Sequence, residues 1–65
     1  MVNYANLWIV MKDNNLTKTE LRLKAKVSSS TFAKLSKNEM VALDVLVRLC
    51  LVLGCEISDI CMVER

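Results

Sequence analysis

Apolar residues recur along this chain at intervals of three and four, the spacing that puts them on one face of an α-helix. Tyr4, Leu7, Trp8 and Met11 follow this i, i+3, i+4, i+7 pattern and predict a first helix over about Asn3 to Asn14, with Asn14-Asn15 as its exit. Thr17 then stands three residues before Glu20, the spacing of a capping box in which a hydroxyl and a carboxylate satisfy free N–H groups at a helix start. Leu16, just before that cap, is placed to staple onto Leu21. A second helix follows over about Lys18 to Lys26. Its Leu21 and Ala25 face inward, while Lys18, Arg22 and Lys26, four apart, share a different face.

Ser28 reads as the N-cap of a third helix with Phe32 and Leu35 as its apolar positions, ending at Asn38-Glu39. Only three or four residues separate the second helix from the third. Two short helices joined so tightly have the geometry of a helix-turn-helix, here over about residues 17–37. In a fourth helix Val45, Leu46, Leu49, Val52 and Leu53 form a wide apolar stripe that stops at Gly54, where a left-handed conformation carries no side-chain penalty. Ile57 to Ile60 predicts a short fifth helix that closes the core. With no internal repeat, linker or low-complexity stretch, residues 1–65 are expected to form one domain.

Composition narrows the fold class. Sixty-five residues and 7.4 kDa leave room for one domain whose core lies near the lower limit for independent stability. An apolar fraction of 54% against 25% charged is too hydrophobic for a disordered tail, and the longest uncharged apolar run, Leu49 to Gly54, is far too short to span a bilayer. No proline and a single glycine leave the chain without the turn residues that hairpins need, so an all-α fold is expected.

Candidate chemistry is sparse. The absence of histidine removes the residue most used as a general base near neutral pH and a common zinc ligand. No glycine-rich phosphate loop is present either, so neither an enzyme nor a cofactor or metal site is expected. Cys50, Cys55 and Cys61 are odd in number and form no C-x-x-C pair, which reads as reduced thiols of a cytoplasmic protein, with Cys50 buried in the apolar stripe. No basic segment followed by an apolar one opens the chain, in keeping with that location. Trp8 and Phe32 lie on apolar faces and read as core rather than as stacking platforms for bases. Met11, Met40 and Met62 read as gap-fillers.

Charge changes the picture more than composition does. Residues 1–11 carry no charged side chain. From Lys12 to Lys37, seven basic side chains (Lys12, Lys18, Arg22, Lys24, Lys26, Lys34, Lys37) oppose Asp13 and Glu20, a local balance of +5. From Asn38 onward two basic side chains oppose five acidic ones, a balance of −3. The helix-turn-helix is thus a basic module, and a concentrated positive face in a small domain suits the phosphates of nucleic acid.

The segment Thr17 to Asn38, TKTELRLKAKVSSSTFAKLSKN, resembles the helix-turn-helix of the phage Cro and repressor-like (XRE-type) transcription regulators. Leu46 to Ile60, LVRLCLVLGCEISDI, is similar to that family's closing stretch, an apolar helix, a small residue and a short acidic helix. Leu21, Ala25, Val27, Ser28, Phe32 and Leu35 fall at the family's core spacing, and the resemblance covers almost the whole chain. The family most often has glycine where Lys26 stands, so a positive φ at this turn would be strained. It also commonly has an acidic residue where Ser36 stands.

The resemblance implies a compact, five-helix, lambda-repressor-like DNA-binding domain that binds double-stranded operator DNA sequence-specifically and regulates transcription as a repressor. Its third helix would enter the major groove. There Ser29, Ser30, Thr31 and Lys34 would reach base edges, with Lys34 suited to the O6 and N7 acceptors of guanine. Thr17, Lys18, Lys37 and Asn38 would hold phosphates. A homodimer on a palindromic operator is expected, because paired modules about 34 Å apart are how this motif gains specificity. The apolar residues Leu51, Val52, Ile57, Ile60, Met62 and Val63 exceed what so small a core requires and are expected to supply the contact. The alternative is a protein-interaction module, an antitoxin-like or anti-regulator partner that uses this C-terminal apolar face. Neither a membrane nor a small-molecule substrate is implied.

Overall fold

A computed structural model describes residues 1–65. The elements run β1 (Val2–Asn3), α1 (Ala5–Asp13), α2 (Lys18–Ala25), α3 (Ser29–Ser36), α4 (Leu43–Leu53), α5 (Ile57–Ile60) and β2 (Met62–Val63). The five expected helices occur in the expected order. Helix α1 packs on α5, α2 on α4 and α4 on α5. The apolar stripes meet in one core of fourteen buried residues, in which Leu7, Leu21, Leu35, Leu49 and Ile60 are fully enclosed.

The chain ends depart from the expectation. β1 and β2, two residues each, pair antiparallel, Val2 opposite Val63 and Asn3 opposite Met62, a minor addition to the expected helical fold. This pairing explains why α1 starts at Ala5 rather than at Asn3. Asn3 is held in the strand pair, and its Oδ1 accepts the Ala5 N–H at 2.7 Å, satisfying a donor at the helix start from outside the helix. Tyr4, at φ −110° and ψ 21°, is the hinge between strand and helix.

Each of the four longer helices ends on a left-handed residue: Asn15, Lys26, Asn38 and Gly54, at φ between 55° and 66°. After each, the next backbone N–H returns to a carbonyl five residues back: Leu16 to Met11, Val27 to Arg22, Glu39 to Lys34 and Cys55 to Cys50. These bonds close the helix ends by bringing a further donor to carbonyls of the last turn. Asparagine tolerates this conformation and glycine adopts it readily, but lysine does not. Lys26, at φ 57° and ψ 43°, therefore carries the strain expected of a lysine in the usual glycine position.

No helix is long and apolar enough to cross a membrane.

Candidate nucleic-acid interface

The helix-turn-helix is built by two caps. The Thr17 Oγ1 accepts the Glu20 N–H at 3.2 Å, and the Glu20 carboxylate accepts the Thr17 N–H at 2.9 Å, so the expected capping box is complete. Hydrogen bonding from the Thr17 backbone, the larger cause, and from its side chain holds the Glu20 carboxyl below its ordinary value. Ser28 caps α3 by accepting the Thr31 N–H at 3.2 Å. With these donors satisfied, the first two N–H groups of α2 (Lys18, Thr19) and of α3 (Ser29, Ser30) have no intrahelical acceptor and lie at the positive ends of their helix dipoles.

On α3, Phe32 and Leu35 turn into the core, and the remaining side chains face outward. Ser29, Ser30 and Lys34 are exposed, and Thr31 is half-buried. The hydroxyls are not equivalent. Ser28 Oγ lies 3.0 Å from Thr31 Oγ1 and 3.3 Å from Ser30 Oγ, so two of the four base-reading candidates are tethered to the cap. Ser29 and Lys34 are free of such ties.

Of the phosphate candidates, Thr17, Lys18 and Lys37 are exposed. Asn38 is exposed too, but its Oδ1 accepts the Tyr4 N–H at 3.0 Å and so serves the fold. Beside it, the Tyr4 hydroxyl donates to the Glu39 carbonyl at 2.8 Å. Burial, the larger cause, and the neighbouring Cys61 raise the Tyr4 pKa.

The basic module is not neutralised. The molecule's single ion pair joins Arg48 to Asp44 at 3.1 Å, both on α4, so none of the seven basic side chains from Lys12 to Lys37 is paired with a carboxylate. Lys18 has a partner of another kind. Its ammonium lies 4.3 Å from the centroid of the Trp8 ring, and Trp8 meets Phe32 edge to face at 5.7 Å. Trp8 packs against the core, as its periodicity indicates, yet is only half-buried. Its contact with Lys18 joins two helices and leaves no trace in the spacing of either.

A family model for the Cro/C1-type helix-turn-helix DNA-binding domain matches residues 6–64. The chain belongs to this family. The Cro/C1-type match takes in all five helices except the first residue of α1, so the resemblance carried by the helix-turn-helix and the closing stretch holds along the chain. As a member of a DNA-binding class, this Cro/C1-type domain is not an enzyme. Its structure is similar to that of a solved protein described as the transcriptional regulator VanUg, with a TM-score of 0.90 and 48% sequence identity over 94% of this chain and 81% of that one. No curated protein matches.

Proposed function

We propose that this protein is a sequence-specific, double-stranded DNA-binding regulator of transcription that acts in the cytoplasm as a repressor. Residues 1–65 would work as one helix-turn-helix domain, with α3 lying in the major groove. Ser29, Ser30, Thr31 and Lys34 meet base edges, with Ser29 and Lys34 free to do so without breaking a cap. Thr17, Lys18 and Lys37 hold phosphates, and Asn38 adds its amide nitrogen. The observation that carries this reading is a basic helix-turn-helix with no carboxylate paired to any of its six cations, its two helix starts offering free N–H groups.

The regulator acts as a homodimer on a palindromic operator. The surface that supports this overlaps the expected one only in part. Ile60 is fully buried and Ile57 and Val52 are half-buried, whereas Met62 and Val63, although paired through their backbone, keep exposed side chains. Leu51 is exposed too and continues a row with Leu43 and Val47, spaced four apart along α4 and 78%, 64% and 42% exposed. The same row favours the second reading, a protein-interaction module that docks another chain there.

Titration of a labelled fragment from upstream of the protein's own gene, across salt and with Ser30→Ala and Lys34→Ala, separates the two. Loss of sequence preference in the variants, with residual binding that still weakens steeply with salt, supports the operator reading. Binding that is absent, or indifferent to both substitutions, moves the assignment to the interaction module. Light scattering that finds a monomer with and without the fragment sinks the homodimer.

A further inference from the structure

Lys18 is the first residue of α2 and places a cation at the positive end of a helix dipole, where a basic side chain is disfavoured. No carboxylate compensates it. Glu20, the acidic residue of that turn, is committed to the Thr17 N–H. What the ammonium has is an aromatic face, 4.3 Å from its centroid. We propose that Trp8 is a positioning residue for DNA binding, holding the Lys18 ammonium at the start of α2 ready for a backbone phosphate.

The chemistry of the pair fits that task better than an ion pair would. A carboxylate would fix the lysine but cancel the charge that a phosphate needs. An indole attracts the cation through its ring quadrupole, bears no charge and accepts no conventional hydrogen bond on its face, so the ammonium keeps donors for a phosphate oxygen. A lysine already held over a ring also loses less side-chain freedom on docking than one moving freely in solvent. The platform itself is well anchored. Trp8 stands on α1 and meets Phe32, buried on the inner side of α3, at an interplanar angle of 60°. One indole thus touches the phosphate-side cation of α2 and the inner face of α3, linking the grip to the reader.

The proposal rests on the reading of Lys18 as a phosphate ligand, and its test keeps the two apart. The probe is a mixed-sequence DNA duplex at low salt, which binds through phosphates without needing the operator. Trp8 is the only tryptophan, so growth on mono-, di- or trifluorinated tryptophan weakens the ring's attraction for a cation stepwise with little change of shape. Affinity is expected to fall in that order, by about two- to fivefold at full loss, and to stay level in the Lys18→Gln background. Trp8→Leu should follow the same cycle, with Trp8→Tyr restoring most of the binding.

Equal losses with and without Lys18 would show that Trp8 acts through packing and overturn the proposal. So would fluorination that leaves the protein's affinity unchanged while Lys18→Gln weakens it. If Lys18→Gln alters neither affinity nor the salt slope, which otherwise falls by about one, the phosphate reading of Lys18 fails and the proposal with it. The fluorinated series decides even where Trp8→Leu does not fold.

Discussion

The Arg48 guanidinium, on α4, donates from Nη1 to the backbone carbonyl of Lys26 at 2.8 Å, the residue whose left-handed conformation makes the turn of the helix-turn-helix. Nη2 of the same group bonds Asp44 at 3.1 Å, so one planar fork pins the turn to α4. The attachment is not free of cost: Arg48 Nε is buried without a hydrogen-bond partner. Arg48→Met removes both effects, and the lost bonds outweigh the relieved nitrogen, with an expected net loss of about 1 kcal/mol in urea unfolding.

Lys26→Gly acts on the other side of this contact. It keeps the carbonyl that Arg48 holds and removes the side chain that opposes φ 57°. The expected gain is about 1 kcal/mol, the steric cost of a left-handed lysine less the added freedom of an unfolded glycine. Thermal denaturation should show a rise of roughly 4–8 °C for a domain of this size. No rise would mean that the turn relaxes around lysine without strain.

Asn38 offers a paired comparison. Asn38→Ala loses both the acceptor for the Tyr4 N–H and the tolerance for φ 55°, with an expected cost of about 2 kcal/mol. Asn38→Gly loses only the acceptor and should recover part of that cost. Equal destabilisation by the two, measured by urea unfolding, would assign the whole effect to the hydrogen bond.

Glu20 predicts an acid-side dependence. Backbone and side-chain bonds to Thr17 depress its folded pKa below the ordinary value of 4.5. The stabilisation is therefore fully present above about pH 4.5 and is lost as pH falls through the depressed value. Glu20→Gln keeps an acceptor for the Thr17 N–H but cannot titrate, so it should flatten this part of the stability profile. Unfolding curves collected from neutral pH into acid check the difference, and matching profiles would remove Glu20 as its source.

Cys50 predicts an alkaline counterpart. Burial first, and then its contact with Cys55, push its thiol from 9.0 up to about 12. An acid raised on folding stabilises fully below its unfolded value, and this contribution declines between about pH 9 and pH 12. At pH 8 a thiol reagent should leave Cys50 unmodified until the protein unfolds. Rapid native-state labelling, located by peptide mapping, would contradict this.

What the sequence disclosed and what it hid divide by the range of the interactions. Thr17 and Glu20 lie one helical turn apart, and Leu21, Phe32 and Leu49 each belong to a stripe within their own helix, so a local pattern suffices to place α2, α3 and α4. Asn15, Lys26 and Asn38 end helices without being glycine, yet two are asparagines and the third occupies a position where the resemblance leads one to expect glycine. The β1–β2 pair could not be read, because two residues are too few to show alternation and their partners stand some sixty positions away. The same limit applies to Trp8 and Lys18, each consistent with its own helix and joined only by folding. It also applies to Ile60 and Leu51. Both look like spare apolar surface, but packing buries the first and exposes the second.

The meeting of Val2 with Val63 has a topological consequence. The amino terminus donates to the Glu64 carbonyl at 3.2 Å, and the Glu64 N–H donates to the Met1 carbonyl at 2.8 Å. A short glycine linker could therefore join Arg65 to Met1 and make the backbone a ring without moving a helix. Such a ring would retain its native shape and lose mainly the conformational freedom of its unfolded form.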